Sequence, residues 1–420
     1  MIIQKEMTEI ILIVTLLLII LIIAYIKIQY PFWNMMPMYH SYNIFPYIYN
    51  EPYIVTQHHR PNTKYYQPMD IETHKFNDLE QKDMTFMKNL LHSNYIQDDK
   101  YLYEVTDNTL NDDYNSNGLS SFISMYRTHN FKYTNGALRT TKSEYLQGLI
   151  GSITNTFRIE QGSRIIKYKL HKVNHFCCRQ DESDPISIKR KLLCSHFHNV
   201  ITQTKHENDD EYKVDGFLFT KDLVPHKGII PFIMFCVMCY NIPENMPMKM
   251  KIGYFISELS TNNISQVVDY IEGSVDMKYK VLNDVYGLPK NPSYKIYMLY
   301  YGENIIGMYI FHNKHTYCER SGGYIMDCVC SHNNLNNILE VREPEEIKKN
   351  EIIFTIGFNE VIENLKKQNI SKLNIHNLGH NNQIIKHWIK AKEQYESYMY
   401  LYNIIVPNSP IQGCEYFSMS

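Results

Sequence analysis

The chain has 420 residues, a formal net charge of -2 and nine cysteines. Near-neutrality supplies no global field to gather nucleic acid, so a nucleic-acid partner is not expected. An odd number of cysteines without even spacing, in a chain long enough for two or three domains, excludes a small disulfide scaffold.

Residues 10–26 read IILIVTLLLIILIIAYI, without a charge. A helix rises 1.5 Å per residue, so about 20 apolar residues cross about 30 Å of hydrocarbon. Thr8, Tyr25 and Lys27 suit the headgroup zones at the two ends. Glu6 and Glu9 before the run, and bulky residues after it, argue against a cleaved signal peptide. Residues 1–29 are therefore expected to be a single-pass membrane anchor. Lys27, Arg60 and Lys64 follow it, which by the positive-inside rule puts the rest of the chain in the cytosol. Asn263 and Asn369 match the glycosylation acceptor pattern, and a cytosolic domain leaves both bare.

After the anchor, residues 30–78 are rich in Pro, Tyr and His and read as an irregular arm. Residues 79–94 space their apolar side chains at three and four, as an amphipathic helix does. Residues 107–117 are polar and read as turn. Short apolar or alternating runs over 145–153, 163–170 and 173–179 predict strands. A helix over 187–202 and strands near 217–224 and 232–240 follow, the last of them open to a helical reading. A second block predicts a helix at 263–270, a hairpin of 295–301 with 305–312, a strand at 324–330 and a helix at 351–368. Phe354, Phe358, Val361, Ile362 and Leu365 form one stripe of that helix. A strand at 372–376, a helix at 383–390 and a strand at 396–406 complete it. This order is that of one acetyltransferase-type domain, and the first block gives a similar order. The expected fold is α/β (α+β): two acetyltransferase-like (GNAT-type) domains in tandem, 30–245 and 246–420, behind one transmembrane helix.

Several segments, in order, resemble eukaryotic N-myristoyltransferase, a tandem pair of acetyltransferase-like folds. Pro31-Phe32-Trp33-Asn34-Met35-Met36-Pro37 is similar to its Phe-Trp-x-Thr-Gln-Pro-Val arm, and Asn94-Tyr95-Ile96-Gln97-Asp98-Asp99 to its Asn-Tyr-Val-Glu-Asp-Asp loop. Gly148-Leu149-Ile150-Gly151-Ser152-Ile153 resembles Gly-Phe-Ile-Ser-Ala-Ile. Val173-Asn174-His175-Phe176-Cys177-Cys178 resembles Ile-Asn-Phe-Leu-Cys-Val. Ile188-Lys189-Arg190 stands where the family has Arg-Ser-Lys-Arg. Phe219-Thr220 begins a stretch like Tyr-Thr-Ala-Gly, and Tyr400-Leu401-Tyr402-Asn403 ends one like Tyr-Tyr-Leu-Tyr-Asn.

The resemblance implies acyl transfer from myristoyl-CoA, a co-substrate rather than a resident cofactor, to the amine of an N-terminal glycine. The backbone N–H groups of His175 and Phe176 would hold the oxyanion, a role in which side-chain identity matters little. Thr220 would sit beside the amine, and the carboxylate of Ser420 would take its proton. Phe32, Trp33, Cys177, Cys178, Ile188, Lys189, Arg190 and Leu192 would hold CoA, its phosphates at a helix N-terminus. Asp98 and Asp99 would face a basic acceptor residue, and Tyr101 and Tyr103 would cover the peptide. Cys236 and Cys239 have no second pair and read as buried thiols, so no metal site is expected. The partners implied are membrane lipid, acyl-CoA and glycine-terminal peptides or proteins. Three departures keep a second reading open, an inactive relative acting as a binding or structural membrane protein. The link 180–187 carries Asp181, Glu182 and Asp184, Gln97 and Lys100 replace acidic residues, and the tail beyond Gly413-Cys414-Glu415 is slightly shorter than the family's. A third reading is an acyltransferase using another acyl chain or amine.

Overall fold

A computed structural model describes residues 2–56, 64–96, 100–115, 120–134, 137–142, 145–180, 184–206, 213–244, 250, 252–283 and 286–419. The helices are α1 (Ile2–Gln29), α2 (Pro31–Asn34), α3 (Phe45–Ile48), α4 (Gln81–Asn94), α5 (Asp107–Tyr114), α6 (Pro185–His206), α7 (Ile264–Gly273), α8 (Leu335–Ile338), α9 (Pro344–Lys366) and α10 (Asn381–His387). The strands of the first half are β1 (Tyr53–Ile54), β2 (Ile71–Lys75), β3 (Tyr101–Tyr103), β4 (Ser121–Tyr126), β5 (His129–Thr134), β6 (Ala137–Lys142), β7 (Gly148–Gln161), β8 (Arg164–Cys178), β9 (Gly216–Asp222) and β10 (Ile233–Asn241). Those of the second are β11 (Tyr254–Glu258), β12 (Tyr279–Leu282), β13 (Tyr294–Tyr301), β14 (Asn304–Cys318), β15 (Gly323–Asn333), β16 (Ile370–His376), β17 (Glu393–Tyr402), β18 (Ile404–Ile405) and β19 (Tyr416–Ser418).

α1 stands clear of the body. Its last 20 residues have a mean hydropathy of 3.1 and none is buried by the rest of the chain. Thr15 returns its hydroxyl to Ile11 O at 2.8 Å, so the one polar side chain in mid-run is satisfied within the helix. The helix ends because Pro31 has no N–H to continue the ladder and instead opens α2.

Fifteen strands form one sheet in the order β11-β13-β14-β15-β16-β10-β17-β9-β8-β7-β12-β19, with β2, β3 and β4 attached beside it. The two halves of the sequence share this sheet. β10 of the first half lies between β16 and β17 of the second, and β12 and β19 extend the edge of β7. Twice a strand runs parallel to the strand that follows its helix: β8 with β9 around α6, and β15 with β16 around α9. The apolar stripe of α9 is buried as its spacing predicts. α6 covers the other half through Leu192, Leu193, Phe197, Val200 and Ile201.

Two expectations are corrected. Residues 107–114 are helix, because Thr106 and Thr109 cap each other's backbone and Leu110 and Tyr114 give the short element a buried face. The strands read as three short runs are two long ones, β7 and β8. Their ladder continues past the apolar positions as far as the Gln161–Arg164 pair, with Arg158 paired to Glu160 and Glu272.

Candidate active site

The parallel pair β8–β9 parts early. Only Leu170–Lys172 and Gly216–Leu218 are in register; beyond Lys172 that edge of β8 has no strand partner among the described residues. On its other edge β8 pairs with β7, but Gly151 faces His175 while Ser152 faces Val173. Asn174 is therefore an extra residue, a bulge that bends β8 just where the strands separate. Alternate backbone N–H groups over residues 173–178 are turned toward that opening. Thr220, on the exposed side of β9, lies two residues beyond the last parallel pair.

The bend is held from behind by the His175 side chain. Tyr103 Oη lies 2.7 Å from Nε2 and Tyr114 Oη 2.6 Å from Nδ1. Burial, with the charge of His315 adding to it, lowers the pKa of His175 to about 3, so the ring is neutral. A neutral imidazole has one N–H and one lone pair, so one tyrosine donates and the other accepts. The carboxyl of Asp113 stands 3.6 Å from Nε2; burial, and then the charge of Asp112, raises its pKa to about 7. Gly151 is required here, because a Cβ on it would fall 2.0 Å from Tyr114 Oη.

A cavity of about 300 Å³ has walls from both halves: Ile96 and Tyr101 from the first, Lys314, Lys372, Asn374 and Tyr395 from the second. Asp327 supports it from below. Its carboxylate accepts from Lys314 Nζ at 2.7 Å, His376 Nε2 at 3.1 Å and Asn374 Nδ2 at 2.9 Å. Burial alone would raise its pKa, but the Lys314 charge and the His376 bond hold it well below the carboxylate range. Burial, and then the charge of Lys314, lowers Lys172 on β8 to about 8; it also feels Asp113 and Asp327. Lys172, at the last β8–β9 pair, is thus the group at the opening whose proton affinity suits transfer near neutral pH, while Asp113 lies behind the bend.

The predicted CoA residues divide. Phe32 is buried under α6, with the Arg190 guanidinium 5.6 Å above its ring. Trp33 stacks parallel on Phe219 at 6.1 Å. Lys189 and Arg190 are exposed at the start of α6, whereas Ile188 and Leu192, four residues apart on its inner face, point into the core. Cys177 and Cys178 are also buried, and burial raises Cys177 to about 12, so its thiol is inert. The N-terminus of α6 already holds a carboxylate: the Ser187 N–H donates to Asp184 Oδ1 at 3.0 Å.

The other predictions fall as follows. Tyr101 lines the cavity, with its hydroxyl 3.0 Å from Lys372 Nζ, and Tyr103 belongs to the His175 clamp. Asp98, Asp99 and Ser420 lie outside the described residues. The residue before Ser420, Met419, is fully buried and its N–H donates to Val281 O at 3.0 Å. Among the described residues no cluster has the ligands for a metal ion. Sequence reading missed Lys172, Asp113, Lys314 and Asp327. The last had a signal: Tyr324-Ile325-Met326-Asp327-Cys328-Val329 sets one carboxylate in a buried strand, which requires a cation beside it.

Three solved structures of Saccharomyces cerevisiae N-myristoyltransferase resemble the chain, each at 12% identity. One with bound myristoyl-CoA has a TM-score of 0.65 and is matched over 91% of this chain and 89% of its own. A second with bound myristoyl-CoA has a TM-score of 0.64 over 91% and 94%. A third, with myristoyl-CoA and inhibitors, has a TM-score of 0.64 over 91% of each chain. No family model matches the sequence, and no curated protein does. The chain therefore has the mixed α/β fold of N-myristoyltransferase, preceded by one helix long and apolar enough to cross a membrane.

Proposed function

We propose that this chain is a membrane-anchored protein N-acyltransferase, transferring a myristoyl group from CoA to an N-terminal glycine. The observation that carries the reading is the parting of β8 from β9 around a bulge, with backbone donors of residues 173–178 facing the opening. Donors fixed before the reaction stabilise the oxyanion without reorganising, and one is worth about 3–4 kcal/mol. In this reading the His175–Phe176 edge supplies the N–H that binds the thioester oxygen, and Thr220 steadies the attacking amine. Lys189 and Arg190, with the arm of Phe32 and Trp33, hold CoA. The cavity over Asp327 receives the acceptor peptide beneath Tyr101. The proton goes to the carboxylate of Ser420. α1 holds the domain at a bilayer, with the body in the cytosol where acyl-CoA is made.

The Asp184 cap favours a second reading, in which the fold binds acyl groups without turnover. A carboxylate already on the N-terminus of α6 competes with a phosphate for the same N–H groups. One experiment separates the two. The full chain in nanodiscs is given labelled myristoyl-CoA and a glycine-terminal peptide, and the peptide is analysed by mass spectrometry. N-terminal acylation is expected. No transfer, together with no heat of CoA binding by calorimetry, sinks the enzyme reading. CoA binding without transfer selects the second.

A further inference from the structure

The body has a second apolar surface, beside the exit of α1. The turn after β9 is strained: Leu223 has φ +69°, and the Val224 N–H bonds back to Asp222 O at 2.9 Å. That closes a γ-turn of the rare positive-φ kind, which a branched side chain adopts at a cost. The turn spends this strain on exposure, since Leu223 is 68% and Val224 59% accessible. Val224 shares a surface hollow with Gln29 and Tyr30 at the end of α1, and with Lys221 and Lys227. Lys27, also in the last turn of α1, lies 5.2 Å over the Tyr42 ring, and the next segment exposes Ile44, Phe45 and Ile48 at 65%, 58% and 68%. The two segments are tied together by the Ser41 N–H to Gly228 O bond at 3.2 Å.

We infer that this surface is an interfacial platform: Leu223–Val224 and Ile44–Ile48 enter the headgroup zone of an anionic bilayer, with Lys27, Lys221 and Lys227 against lipid phosphates. This goes beyond the anchor of the preceding section, on which it rests, because it fixes the orientation of the whole domain. Apolar tips flanked by lysines match a surface that is oily below and negative above. The occupant follows from continuity, since the last turn of α1, apolar over 20 residues, touches both segments, through Lys27 on Tyr42 and through the hollow that Gln29 and Tyr30 share with Val224. A water-soluble protein partner would have to share that space with the bilayer.

The test uses the full chain in nanodiscs of phosphatidylcholine, with or without phosphatidylserine. Cys414, the exposed cysteine among the described ones, is changed to Ser. A fluorophore is then placed singly through Val224→Cys, Phe45→Cys, Leu18→Cys or Ile252→Cys, and quenching by spin-labelled lipid is measured. Quenching is expected at 18, 224 and 45 but not at 252, a fully exposed residue elsewhere. In phosphatidylserine discs, Lys221→Glu with Lys227→Glu should drop quenching at 224 toward the level at 252. Labels at 224 and 45 that behave like 252 while 18 is quenched overturn the platform and leave the anchor standing. An unquenched label at 18 fells the anchor, and 224 and 45 then still decide the platform. Quenching at 224 that appears only with several copies per disc, through contact between labels, assigns the surface to self-association and overturns the inference.

Discussion

The sheet parts twice, and the two openings have been put to different use. Between β8 and β9 the edge of residues 173–178 stays unpaired among the described residues, and polar groups stand around it. Between β15 and β16 the same kind of parting is closed. Ser331 bridges to Gly379, the His380 N–H donates to Ser331 O at 2.9 Å, and Asn381 Nδ2 donates to Cys328 O at 3.1 Å and His376 O at 2.8 Å. Gly379 is needed for this closure: its φ is +57° and a Cβ would fall 2.5 Å from Ser331 O. One parting is thus filled with hydrogen bonds and acts as a strut, while the other is left open.

The comparison is broken most directly by filling the open parting. Thr220→Trp puts a large ring on an exposed position beside the unpaired edge. Displacement of a reacting group by about 1 Å costs on the order of 100-fold, so peptide acylation should fall about 100-fold. Unfolding in urea should shift by no more than about 0.5 kcal/mol, as for other exposed sites. An equal loss of stability and activity would mean that the opening is structural after all.

The converse change sharpens the contrast at the closed parting. Asn381→Ala leaves two buried carbonyls without their donor, which should cost about 2–3 kcal/mol in urea unfolding. Acylation per folded molecule should be unchanged. A selective loss of activity would show that the second parting also takes part in the reaction.

Much of this was legible in the sequence, and what was not has a physical reason. The apolar run of α1, the stripe of α9 and the hairpin β13–β14 carry their periods openly. The resemblance pointed to residues 175 and 176 but not to the parting of β8 from β9, because a bulge at Asn174 leaves no mark in a hydrophobic pattern. The shared sheet was out of reach: β12 and β19 are four and three residues long, and β12 finds β7 across the chain while β19 finds β12. The His175 clamp depends on Tyr103 and Tyr114, 72 and 61 residues away, and α5, which carries Tyr114, looked like turn. Leu192 was placed by motif among the CoA residues, while its position on the helix turns it inward.

The smallest effect separates two polar clusters behind the open parting, through pH. His171 is bonded to Ser152 and Thr154, and burial lowers its pKa to about 3. Its unfolded value is 6.5, so the unfolded chain binds a proton that the folded one refuses. Its share of stability is full above pH 6.5 and is lost as pH falls toward 3, at about 1.4 kcal/mol per pH unit. Asp113 runs the other way. Raised from 3.8 to about 7, it keeps a proton that the unfolded chain releases, so its share is lost as pH rises through that window. His175 offsets it: between pH 3.8 and 6.5 the folded pair holds one proton on Asp113, and the unfolded pair holds one on His175. The His175–Asp113 pair is therefore silent to pH where His171 is not. Urea unfolding at several pH values between 4 and 6 should show His171→Gln lowering the slope of stability against pH by about 1.4 kcal/mol per unit. Asp113→Asn should raise it by a similar amount. A slope that Asp113→Asn leaves unchanged would mean that Asp113 releases its proton as readily in the folded chain as in the unfolded one.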